Sequence, residues 1–227
     1  MKTQPALLAA LLTLASGLPA GAALPDAGWD SSTRLPTQFY GDIPTVPSPI
    51  RYRTGQADQA DTRWGALSRY LAAKDPEIPQ AAVRKVLGYL QRHPVPNMDF
   101  VTIIDMDLPS TARRMYVISL ATGKVERFLV AHGSGSGMLY ATRFSDVDSS
   151  HMTSLGLYLT LGEDSGKHGR DLKLAGLEDT NRHAQARAIE LHGASYVSDS
   201  YIRQRGRLGR SWGCPAVDFA VRDHIIG

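Results

Sequence analysis

Cysteine is all but missing from this 227-residue chain: Cys214 is the only one. A single thiol excludes an intramolecular disulfide and any zinc centre built on several cysteines. Charge of one sign is scarce too, with 25 basic against 22 acidic residues and a formal net charge of +3. So small an excess argues against nucleic acid as the partner, because such binders concentrate basic and aromatic side chains on one face. No apolar run approaches the roughly 20 residues that a membrane-spanning helix needs. No segment repeats at a period of roughly 20–50 residues, and the histidines lack a metal-binding spacing such as H-E-x-x-H, so no metal and no cofactor is implied. What remains is 43% hydrophobic and 21% charged, a composition and length that fit one ordinary domain with extensions.

The N-terminus supplies one extension. Lys2 gives a positive start, residues 6–15 are apolar apart from Thr13, and Ala20-Gly21-Ala22 offers a small-residue cleavage site, with Gly21-Ala22-Ala23 one residue further on. The pattern predicts a secretory signal over residues 1–23, and no cysteine follows the site to carry a lipid anchor. A membrane anchor is the alternative, but the apolar run is too short for it. An exported protein meets oxidising conditions, in which cysteines normally pair. A lone one is then either a reactive thiol or an inert buried one.

Residues 24–62 carry prolines and glycines without apolar periodicity and read as an extended linker or pro-segment. Residues 63–96 form a helical segment with helices expected over 64–73 and 76–91. In the second, Val83, Val86, Leu87 and Leu90 recur at i, i+3, i+4 and i+7. Asp75-Pro76 reads as its start, and His93-Pro94-Val95-Pro96 stops it. From residue 97 the period falls to two. Residues 100–106, 115–120, 125–131, 156–161, 172–174 and 188–191 are strand candidates, and 217–226 a closing helix. Short strands with Gly-rich turns predict a mainly β domain over 97–227, of sandwich or barrel-like architecture.

Residues 188–218 hold the chemistry. Cys214 lies in Arg210-Ser211-Trp212-Gly213-Cys214-Pro215, preceded by a strand ending in Ile189-Glu190-Leu191-His192-Gly193. A thiol needs a base to become a nucleophile at neutral pH, and the imidazole of His192 titrates in the useful range. A hydrogen-bonded structural histidine at a strand end is the alternative. Gly213 lets the backbone turn so that amides face a reacting carbonyl, and because Pro215 has no N–H the oxyanion donors must come from Cys214 and the residues before it. Arg203, Arg205, Arg207 and Arg210 precede the thiol; they are either a solvated loop or cations that lower its pKa and bind substrate carboxylates. Alternation sets Glu190 on the face of His192, with Ile189 and Leu191 turned to the core.

These residues resemble the L,D-transpeptidase (YkuD-like) catalytic domain, whose signature is His-Gly, a spacer and Ser/Thr-x-Gly-Cys. Here the signature reads His192-Gly193, seventeen residues, then Ser211-Trp212-Gly213-Cys214. The branch of murein L,D-transpeptidase catalytic domain proteins is also similar over Val130-Ala131-His132-Gly133, Ser154-Leu155-Gly156 and Gly206-Arg207-Leu208-Gly209-Arg210-Ser211. Two departures stand out: Trp212 replaces the usual polar residue, and Pro215-Ala216 replaces a hydrophobic residue followed by Arg. An arginine of the upstream cluster is the candidate substitute for that Arg. The resemblance implies an enzyme of the periplasm or cell wall that acts on peptidoglycan stem peptides without a cofactor. Cys214 would be the nucleophile and His192 the base, oriented by the Gly193 carbonyl or the Ser195 hydroxyl. Ser211, Trp212, Gly213, Arg210 and Arg207 would border the substrate, and a carbapenem would be expected to acylate the thiol.

Other residues receive weaker readings. His132, before the loop Gly133-Ser134-Gly135-Ser136-Gly137, is expected to be structural, and His151, His168 and His183 read as loop residues. Ser145 and Ser154 are substrate contacts by resemblance only. Papain-like peptidases place Cys before His, the reverse of this chain. A wall-binding module without catalysis is the rival from a different class.

Overall fold

The computed structural model describes residues 63–93, 95, 98–166 and 169–227, together with the backbone of residues 10–14. The linker expected over 24–62 lies outside the described residues. Two helices come first, α1 (Arg63–Lys74) and α2 (Gln80–Arg92). In α2 the stripe Val83, Val86, Leu87 and Leu90 is buried throughout, as an amphipathic helix requires. It starts later than Asp75-Pro76 suggests because Asp75 is engaged elsewhere. The carboxylate pairs with Arg127, and the intervening turn carries Ile78 into the core.

The strands are β1 (Ala10–Leu14), β2 (Phe100–Asp105), β3 (Met115–Ser119), β4 (Val125–Phe128), β5 (Gly156–Gly166), β6 (Gly169–Gly176), β7 (Glu190–Gly193) and β8 (Ala216–Val217). They form one mixed sheet in the order β4-β3-β2-β1-β5-β6-β7-β8. Leu71, Val86 and Leu87 of the helices pack on Val101, Ile103, Tyr116, Ile118 and Leu157 of one sheet face. The helical segment therefore shares a core with the sheet, each fully buried Val or Leu contributing about 1.5–3 kcal/mol relative to exposure. The opposite core joins Ile104, Met115, Tyr158, Leu172 and Leu191 to Val217 and to Ile225 and Ile226 of the closing helix α4 (Phe219–Ile226).

The sheet is mainly β as expected, but it is neither a sandwich of two sheets nor a closed barrel. It rolls until its edges meet just beyond the strand ends: Ala131 bridges Ala216, and Gly133 bridges Ser211. Period-two alternation is the same in a sandwich, a barrel and a rolled sheet, so the pattern alone could not separate them.

Helix α3 and strands β1 and β8 were not foreseen. Helix α3 (Asp199–Arg205) is capped by Ser198, whose hydroxyl accepts from Tyr201 N–H, and it ends at Gly206 in the left-handed region; this Ser…Gly pair is a start and stop signal. Strand β1 comes from the apolar stretch read as a secretory signal. It runs parallel to β2, with Ala10 opposite Val101, and antiparallel to β5, with Ala10 opposite Leu159. No helix of the described residues is long and apolar enough to cross a membrane.

Candidate active site

Residues 211–216 run along the seam between the sheet edges, with β7 on one side and residues 131–134 on the other. Ser134 N–H donates to Ser211 O (2.8 Å) and Ser211 N–H to His132 O (3.1 Å), so the stretch is fixed before it reaches Cys214. The buried Ser211 hydroxyl closes the turn on itself, accepting from Gly213 N–H (3.1 Å) and donating to Cys214 O (2.6 Å). Thr153, which the sequence reading passed over, holds the other side. Its hydroxyl accepts from Gly133 N–H (2.9 Å) and donates to Gly213 O (3.2 Å). Both glycines are required here: a Cβ on Gly133 would lie 2.4 Å from His151 O, and Gly213 sits at φ +131°, where L side chains are strained. With the Gly213 N–H and carbonyl both engaged, the Cys214 N–H beside them has no acceptor among the described residues. A free amide next to the thiol is where an oxyanion donor acts.

His192 stands on β7 opposite Ala216. Cys214 lies two residues before Ala216, in the bend that leads into β8; its Sγ lies 3.5 Å from Glu190 N. The buried ring of His192 places Nδ1 3.0 Å from Gly193 O. A carbonyl only accepts, so Nδ1 carries the proton and Nε2 of the neutral ring is the basic nitrogen. The thiol accepts from Glu190 N–H and donates to Ala188 O, both at 3.5 Å. Burial pushes the Cys214 thiol above its ordinary range; the Glu190 N–H and Arg187 pull it down, while the Glu190 and Asp171 carboxylates add to the rise. At rest the sulfur is a protonated thiol that depends on a base.

The arginine cluster, left open between a solvated loop and cations at the site, divides between solvent and loop contacts. Arg203 and Arg205 point into solvent from α3. Arg207 donates to Leu208 O (2.8 Å), and Arg210 clasps the glycine-rich loop through Ser134 O (3.1 Å) and Gly137 O (3.0 Å). None of the four is among the main charges acting on the thiol. The cation that does act is Arg187, whose Nη2 would lie 3.1 Å from a Cβ on Gly213. It is held by Met152 O (2.7 Å), Ser145 O (3.0 Å) and the Asp146 carboxylate (3.4 Å). Nothing in the sequence around Arg187 marks it out.

The remaining candidates divide between surface and frame. Trp212 is 77% exposed and stacks on His151, with ring centroids 4.9 Å apart and planes 10° from parallel. His132 is wholly buried, and its Nδ1 accepts from the buried Arg114 (2.8 Å). Burial, then the Arg114 charge, brings its pKa down to about 4, so it is a neutral strut under the glycine-rich loop. Ser154 is buried against the Tyr158 hydroxyl (2.7 Å), and Ser145 accepts from Val147 N–H (3.1 Å). His183 pairs with Asp146 (3.0 Å), and His168 lies outside the described residues. Among the described residues no cluster of three or more His, Cys, Asp or Glu side chains could hold a metal ion.

A family model described as the L,D-transpeptidase catalytic domain matches residues 73–227. The chain belongs to this family. No curated protein and no solved structure matches it. The L,D-transpeptidase match takes in α2, every strand from β2 to β8 and both later helices, and so spans His192, Cys214 and the seam between them.

Proposed function

We propose that this L,D-transpeptidase domain is a cysteine acyltransferase acting on peptidoglycan stem peptides. One observation carries the reading: a thiol, a free amide and an imidazole with a basic Nε2 lie where residues 211–216 run beside β7. Cys214 Sγ leaves Ala188 O and attacks the carbonyl carbon of the third stem residue, while His192 Nε2 takes the thiol proton. The oxyanion is met by Cys214 N–H. Collapse breaks the C–N bond to the terminal D-Ala, whose nitrogen receives that proton, and a thioester remains. An amine of a second stem, or water, attacks the thioester and gives its proton to His192, which returns it to the departing sulfur. Gly193 fixes the base through its carbonyl, and the exposed face of Trp212 is the wall on which the stem rests. Ser211 and Gly213 shape the turn. Arg207 and Arg210 serve the substrate indirectly, by fixing the loops around it.

Residues 1–23 act in this reading as an export signal, and the enzyme works in the periplasm or at the cell wall. Cleavage then takes β1 out of the sheet and leaves β2 and β5 to pair with each other. Incubating purified protein with disaccharide-tetrapeptide and weighing the products tests the activity. The expected result is loss of D-Ala with a cross-linked or hydrolysed product, and none of it with Cys214→Ala. Turnover above a few per cent in Cys214→Ala would remove that residue from the mechanism. Unaltered substrate with the wild type would leave a wall-binding module.

A further inference from the structure

Strand register places a carboxylate on the far side of the base. Asp171 of β6 lies directly opposite His192 of β7, and His192 lies opposite Ala216 of β8, which the bend bearing Cys214 leads into. Directly opposed residues have Cβ atoms about 4.5–5.5 Å apart. The carboxylate and the imidazole are therefore neighbours across β6 and β7. Asp171 is 0% exposed, although ionisable side chains are rarely buried so completely without a specific use. It is also among the carboxylates that act on the Cys214 thiol, so its field reaches the reacting sulfur. Neither the family signature nor the sequence reading singled it out.

We propose that Asp171 is a positioning residue for the acyl transfer: its carboxylate stabilises the imidazolium formed when His192 takes the Cys214 proton. The inference rests on the cysteine acyltransferase reading above. Gly193 O already fixes which ring nitrogen carries the proton, so the task left to Asp171 is electrostatic. Its field acts among other charges. Asp164 of β5 is opposite Asp171, and Lys173, two residues along β6, pairs with Asp164 (2.7 Å). Glu190 of β7 is opposite Lys173. Arg187 reaches the back of Gly213, and from α4 Arg222 lies alongside Gly193 and Gly169 and is paired with Asp223. A carboxylate this close favours the charged imidazole and opposes the thiolate. It thus favours proton transfer within the step over a resting ion pair.

The test follows the ring of His192 by NMR titration, and the pH dependence of Cys214 acylation by a carbapenem, in wild type, Asp171→Asn and Asp171→Glu. The expected result for Asp171→Asn is a lower titration midpoint for His192, the acidic limb of the rate profile moving down with it, and a plateau rate reduced on the order of tenfold, the value of about one pKa unit of lost stabilisation. Asp171→Glu should restore the midpoint. A merely structural carboxylate would lower the plateau and leave the midpoint in place, which would overturn the proposal. If Asp171→Asn does not fold, the wild type still decides. The Asp171 carboxyl carbon must show a second step at the midpoint of His192, and a resonance blind to it contradicts the pairing. If the wild type is not acylated, the acyltransferase reading fails, while the two NMR titrations still accept or reject the Asp171–His192 coupling.

Discussion

At the scale of single residues, the site is a set of divided tasks. His192 gives one ring nitrogen to Gly193 O and keeps the other basic, whereas His132 gives Nδ1 to Arg114 and is held neutral by burial. The two histidines look alike in sequence, each followed by glycine at the end of a strand, and only their neighbours separate them. The arginines divide in the same way. Burial holds the thiol protonated, and Arg187 is the cation that works against this. Replacing Arg187 with Gln should therefore raise the pH midpoint for alkylation of Cys214 by iodoacetamide, and Arg187→Lys should largely restore it. Arg210→Gln should leave the midpoint unchanged while loosening the loop that Arg210 clasps. A midpoint that moves for Arg210 and stays for Arg187 would reverse the assignment.

At the scale of elements, what the sequence made legible is what periodicity can encode. The stripe of α2 emerges as a buried face, and β2, β3 and β7 emerge as strands buried on both faces. Ile189 and Leu191 turn to the core while Glu190 and His192 face the site. The motif His192-Gly193…Ser211-x-Gly213-Cys214 marked the loop that carries the thiol. Arg187, Thr153 and Asp171 stayed hidden because each matters through a contact across the sheet or between loops, and no local spacing records those. Strand β1 was not foreseen for a related reason: a short stretch that is apolar apart from Thr13 suits a signal's hydrophobic run and a central strand equally well. The account commits to export, so residues 24–227 expressed alone should fold and should carry strong amide-exchange protection over 101–105 and 157–159, the backbone that β1 otherwise pairs with. Rapid exchange there, in a protein that unfolds more readily than the full chain, would show that β1 is retained and that residues 1–23 are not a leader.

At the scale of the whole molecule, the site exists because the sheet rolls. The loop bearing Cys214 is bonded on one side to β7, reached through β5 and β6, and on the other to residues 131–134, reached through β2, β3 and β4. Both halves of the sheet must be in place before the loop that bears the thiol is held beside β7. The central claim is that His192 is the base for Cys214 within that frame. It is tested most directly by the rate at which a carbapenem forms a covalent adduct, followed by mass spectrometry in wild type, Cys214→Ala, His192→Gln and His132→Gln. The account predicts one adduct, located on Cys214 and absent from Cys214→Ala. It predicts a rate reduced by roughly 10²–10⁴-fold in His192→Gln and far less in His132→Gln. An adduct that forms at the wild-type rate in His192→Gln, or equal slowing by both histidine changes, would contradict it.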